Sequence, residues 1–202
     1  SDREQLHLQA LGAWIDGRLG DACALWERSL VDNPNDALAM LAAHKGDFFL
    51  GQSSELRDRV ARRLPEIDRG SRLEGYYLGM HAFGLEEMGD YARAETVGTR
   101  AVASDPRDAW AIHAVAHGLE MTNRVADGQQ WLASRANDWS ENNFFAIHNW
   151  WHLALFYLDQ QRWDEVLTLY DTRIRGTDSA VIMDMLDASA LLWRLRLHGV
   201  DV

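Results

Sequence analysis

Two short stretches of this 202-residue chain set titratable side chains inside otherwise apolar segments: His113-Ala-Val-Ala-His117-Gly-Leu-Glu120, and His148-Asn149-Trp150-Trp151-His152. On an α-helix, residues four apart share a face, and a third residue three further on stays on it. His113, His117 and Glu120 therefore form one stripe, and His148 and His152 form another. Several chemistries fit these groups. Imidazoles at helical spacing beside a carboxylate supply the donors that Zn²⁺ or a similar transition ion takes, which makes His113, His117, His148 and His152 candidate metal ligands. Against a metal, no His-Glu-x-x-His motif is present, and the Glu-x-x-His order of di-iron bundles is reversed here as His117-x-x-Glu120. The same groups, with the Asn149 amide and with Trp110, Trp150 and Trp151 as walls, have the make-up of a small-molecule or peptide pocket. His117, Glu120 and His152 are the candidate catalytic groups: His117 with Glu120, or His113 facing His148, offers an oriented general base at neutral pH. A nucleophile is harder to find, because Cys23 is distant and Ser134, Ser140 and Ser189 sit in no activating motif. A purely structural hydrogen-bond network between stacked helices is the plain alternative. The preferred reading is binding without a cofactor by His113, His117, Glu120, His148, Asn149, Trp151 and His152. An enzyme or a zinc-type metalloprotein using the same cluster is the alternative.

The elements that must hold these residues are helices. Three prolines, and few Val, Ile and Thr beside many Leu and Ala, favour helix over sheet. The fold class is all-α, with no strand of four or more residues. Apolar residues recur at helical spacing between short Gly, Asp, Asn or Pro breaks, and the segments repeat. In the clearest unit, Ala82 and Leu85 lie on a first helix, Gly89-Asp90-Tyr91 forms a turn, Ala94, Gly98 and Ala101 lie on a second helix, and Pro106 ends it. This resembles the tetratricopeptide pattern, whose small residues let paired helices approach closely. A step of about 34 residues lands on Ala116, Leu119, Gly128 and Leu132, in helices expected near 108–122 and 125–138. A further step lands on Ala154, Tyr157, Trp163, Val166 and Tyr170. Segments 36–50 and 53–66 make another pair, and a looser one precedes them. About five antiparallel pairs and a lone helix over 179–197 form a right-handed solenoid in one domain, 1–202. First helices of successive pairs line its concave face, so both histidine stripes belong to one groove.

His113-Ala-Val-Ala-His117 with Glu120-Met121, Trp131-Leu132, Trp139, Asn143-Phe144, His148-Asn149-Trp150-Trp151-His152, Leu169-Tyr170-Asp171 with Ile174, Asp184 with Leu186-Asp187-Ala188, and Leu192-Trp193-Arg194-Leu195 resemble the tetratricopeptide repeat protein 38 family and its bacterial relatives, a resemblance that implies a place near the groove for Asp184 and Asp187. The resemblance covers about 110–197 and implies the helical-repeat fold; it transfers no activity, substrate or cofactor. Members of that family usually run on after the Leu192-Trp193-Arg194-Leu195 segment, so the chain is read as the N-terminal part of a longer protein or a shortened relative.

Charge narrows the partners. Twenty Lys and Arg against thirty-one Asp and Glu leave a net charge of −11, which repels nucleic-acid backbones and anionic membranes. The single cysteine and the absence of an apolar leader point to the cytoplasm. The expected partner is a small molecule or an extended peptide in the concave groove, with no nucleic acid and no membrane. Helix 179–197 is apolar on more than one face, and a terminal repeat helix needs a polar outer face; a homodimer through this helix, or further residues, is expected to cover it. Trp14, Trp26, Trp163 and Trp193 are expected in the core, His44 and His81 as satisfied core histidines, and Arg57, Arg59, Arg62 and Arg63 as a weak phosphate-site candidate.

Overall fold

The structure, a computed structural model, describes residues 1–176 and 179–202. Helices α1 (Asp2–Ile15), α2 (Leu19–Asp32), α3 (Ala37–Phe49), α4 (Ser53–Arg63), α5 (Arg72–Glu87), α6 (Tyr91–Ser104), α7 (Ala109–Met121), α8 (Val125–Ala133), α9 (Ala136–Trp139), α10 (Ala146–Asp159), α11 (Trp163–Leu169) and α12 (Ile182–Leu197) follow one another, and no strand occurs among the described residues. The chain divides into two compact units, Ser1–Val115 and Ala116–Val202, with the division inside α7.

In the first unit each helix packs on its sequence neighbours from α1 to α6. The starts of α3, α5 and α7 carry the same device. Asp36, Ser71 and Asp108 accept from the backbone N–H of the residue three further on, satisfying an otherwise orphaned donor. The turns inside the pairs also repeat: Gly17, Gly51 and Gly89 take left-handed φ, and so do Asn123 and Gln161 at the matching places of the second unit. A short turn between antiparallel helices needs one left-handed residue, which glycine supplies without a Cβ clash. Trp26, Leu30, Met40, Val60 and Tyr77 fill the core. Gly98 on α6 lies so close to its neighbours that an added Cβ would sit 2.6 Å from Val115 Cγ2. That is the close approach the small residues of the repeat imply.

In the second unit α8, α11 and α12 pack on α10, around Ala154, Leu155, Val166, Ile174, Leu191 and Leu195. One expected helix, 125–138, is broken. The buried Trp139 turns its indole N–H onto the Leu132 carbonyl at 3.2 Å, so α8 stops at Ala133 and a single turn, α9, follows. The last helix begins at Ile182 rather than 179; the expected start adjoins residues 177–178, which lie outside the described residues. A π-turn over Tyr170–Ile174 closes α11.

Several core expectations need correction. Trp26 is buried, but Trp193 is 63% exposed and Trp14 is 42% exposed. On α12, Ile182, Met185, Leu186 and Leu197 are exposed with Trp193, so the helix shows the second apolar face read from its sequence. His44 is buried, and among the described residues no hydrogen bond of ordinary geometry reaches its ring nitrogens. The arginine cluster is no phosphate site. Arg59 is buried on Asp47 at 2.8 and 2.9 Å, and Arg59, Arg62 and Arg63 all reach Glu27. The carboxylates come from α2 and α3, which the local sequence of α4 does not reveal. Cys23 is buried and its thiol is pushed up to about 11 by burial, then by Asp47, which makes it a poor nucleophile.

A candidate metal centre of histidines

Helix α7 presents His117 and Glu120, and α10 presents His148 and His152. Packing brings the imidazoles tip to tip. His117 Nε2 lies 3.0 Å from His152 Nε2, and His152 Nε2 lies 3.2 Å from His148 Nε2. His113 stands one turn before His117 on α7, and the four histidines offer ligand nitrogens within 4.8 Å of one another. His113 and His152 are buried, while His117, His148 and Glu120 are half-buried.

Two of the rings turn their other nitrogen onto a carboxylate. His148 Nδ1 is 2.8 Å from Asp187 Oδ2 on α12, and His152 Nδ1 is 3.1 Å from Glu120 Oε2. Carboxylates only accept, so each Nδ1 carries the proton and donates it. His152 is held well below the usual imidazole pKa by burial first, then by the charges of His117, His148 and Arg194, so it is neutral. Its Nδ1–H tautomer leaves a lone pair on Nε2, aimed at the nitrogens of its neighbours.

The Nε2 lone pairs of His148 and His152 face each other, a contact that a proton on His117 Nε2 or a metal cation can relieve. Four donors about 2.0–2.1 Å from a tetrahedral Zn²⁺ stand about 3.3 Å apart, close to the separations here. A histidine ligand that donates its second N–H to a carboxylate is the usual outer-shell arrangement of metal sites. The structure shows the Glu120 carboxylate behind His152. Trp151 walls the cluster: its ring stacks on His148 at 5.5 Å and 13° and meets His152 edge-on at 4.9 Å. Trp150 packs on Trp139 with ring centroids 4.5 Å apart, because adjacent residues on a helix point in different directions. Asn149 is fully buried.

Two residues outside the candidate set belong here. Asp187 orients His148, and Arg194 on α12 lies with its guanidinium carbon 5.3 Å from the Trp151 ring centre. The signal for Asp187 is periodic: it falls 35 residues after His152, the interval that separates His117 from His152.

No protein-family model matches the chain. Among solved structures it is similar to a thermophilic tetratricopeptide-repeat protein of Thermus thermophilus, with 17% identity and a TM-score of 0.68 over 95% of this chain and 99% of that one. It is also similar to pilF of Pseudomonas aeruginosa, with 14% identity and a TM-score of 0.65 over 99% and 93%. YrrB, described as a tetratricopeptide-repeat protein with an unusual peptide-binding site, matches at 14% identity and a TM-score of 0.57 over 96% and 91%. At such identities the likeness speaks for the fold, and the fold is an all-α helical repeat of the tetratricopeptide type.

Proposed function

We propose that the chain is a helical-repeat binding module that holds a divalent transition-metal ion on His117, His148 and His152, with His113 as a neighbouring nitrogen donor. One observation carries this reading: three Nε2 atoms meet at 3.0 and 3.2 Å while two of their rings are turned outward onto carboxylates. Protons on Nδ1 of His148 and His152 set two Nε2 lone pairs against each other, and a cation shared with His117 Nε2 would satisfy all three nitrogens. Imidazole donors suit Zn²⁺, Cu²⁺, Ni²⁺ or Fe²⁺ better than Mg²⁺ or Ca²⁺, which take oxygen. The resemblance of residues 110–197 to the tetratricopeptide repeat protein 38 family belongs to the same reading, since the whole cluster lies in that stretch.

The test is metal analysis of purified protein, followed by calorimetric titration of chelator-treated protein with Zn²⁺. One ion per chain is expected, with binding lost in His117→Ala and His148→Ala variants that keep the wild-type circular dichroism. Wild-type titration no stronger than that of a double variant would overturn the metal. A peptide-binding role is the second reading, favoured by Phe48, Phe49 and Tyr76, large aromatics of the first unit that are 44%, 70% and 41% exposed.

A further inference from the structure

Two side chains at the edge of the cluster can hold a ligand from outside, and the exposed Arg194 on α12 is one of them. Most of the other arginines discussed above are paired with carboxylates, whereas Arg194 has no ion pair among the described residues; its side chain donates to the Ala190 carbonyl at 3.3 Å. It lies over the Trp151 ring, and its charge is felt at His152. Trp151 brings a second unmet need. Its indole N–H is buried and has no hydrogen-bond partner among the described residues, a condition that costs free energy unless a ligand accepts from it.

Resting on the metal reading, we infer that the centre takes a monoanionic oxygen ligand of the carboxylate class, bound to the metal through one oxygen and held by the Arg194 guanidinium and the Trp151 indole N–H. Arginine suits this task because its planar fork matches a carboxylate. The metal supplies the binding enthalpy, and the two side chains select an anion over a neutral donor. Glu120 and Asp187 each already meet a histidine Nδ1, and the proposed oxygen is one supplied from outside the chain.

The experiment uses Co²⁺-loaded full-length protein and acetate as the probe, followed by the visible ligand-field spectrum. Acetate is expected to change the spectrum in a saturable way. Arg194→Gln and Trp151→Phe are expected to weaken acetate about 10- to 100-fold each, the range for hydrogen bonds to a charged group, measured on protein that each variant still loads with one Co²⁺ per chain. A spectrum that forms but ignores acetate would overturn the inference and leave a centre closed by histidines. Equal acetate affinity in wild type and both variants would overturn the roles of Arg194 and Trp151. Failure of Co²⁺ to bind at all would overturn the metal reading itself, a result separable from the other two.

Discussion

His117 and His152, 35 residues apart in sequence, meet Nε2 to Nε2 at 3.0 Å. The contact follows from one repeat interval: His113 and His148 stand at the same separation, so two i, i+4 stripes on equivalent helices superpose and their rings converge. Repetition thus turns a local helical pattern into a three-dimensional cluster.

Asp187 and Glu120 should tune the metal without touching it. Each accepts from the Nδ1 of a ligand and so fixes its tautomer and raises its basicity. Asp187→Asn and Glu120→Gln are each expected to weaken Zn²⁺ about 10- to 100-fold, with stoichiometry kept at one. Competition against a chromophoric chelator measures it; wild-type affinity in both variants would show the carboxylates to be bystanders.

Metal and stability are linked, because an ion that binds only the folded chain stabilises it by mass action. With Zn²⁺ at a hundredfold excess over Kd the gain is about 2.7 kcal/mol, which for a chain of this size raises Tm by about 5–10 °C. Differential scanning calorimetry with and without chelator reads this shift. It should vanish in His117→Ala, whose lost ring is half-buried.

Acid should act on the first unit through His44. Burial, then the charges of Arg59 and His81, lower its pKa from 6.5 to about 3. Between these values the unfolded chain takes up a proton that the folded chain refuses. The stability His44 contributes is therefore complete above pH 6.5 and is lost as pH falls toward 3. Asp108, raised to about 6 by burial first, works in the opposite direction, so the informative quantity is a difference between proteins. Urea unfolding at pH 7 and pH 4 should show His44→Leu losing on the order of 2–3 kcal/mol less than wild type over that interval. An identical loss in both would assign the acid sensitivity elsewhere.

The all-α repeat was legible because its signals are local: helical spacing, Gly89 in a turn, Gly98 at a close approach, Pro106 after a helix. The histidine stripes were legible because the repeat interval carries one onto the other. What escaped depends on partners far along the chain. Glu120 shares a stripe with His117, so sequence pairs them, but the carboxylate reaches across to His152 on α10. Arg59 and its neighbours look like a basic patch until Glu27 and Asp47 arrive from other helices. The helix expected over 125–138 breaks because Trp139 folds back on the Leu132 carbonyl, a contact that no local propensity encodes. Trp193 stands at a helix-pair contact position of the repeat pattern, which points to burial, yet it lies on the outer face of α12.

Two glycines should respond to the same substitution with opposite signs. Replacing a helical glycine with alanine removes backbone freedom from the unfolded chain, a gain of about 0.5–1 kcal/mol wherever the methyl group has room. Gly12 on α1 has room: a Cβ there meets nothing within 4 Å. Gly128 on α8 has none, because its methyl group would overlap the ring of Phe156, which is fully buried on α10. Overpacking of this kind costs about 1–3 kcal/mol, more than the propensity gain returns. Gly12→Ala is therefore expected to raise the unfolding free energy by about 0.5–1 kcal/mol and Gly128→Ala to lower it by about 1–2 kcal/mol net. Because α8 packs on the helix that carries His148 and His152, Gly128→Ala should also loosen Zn²⁺, while Gly12→Ala leaves it unchanged. Urea titrations of the two variants, with Zn²⁺ affinities measured on the same samples, check both parts; a stabilised Gly128→Ala would mean that α8 and α10 can separate at little cost.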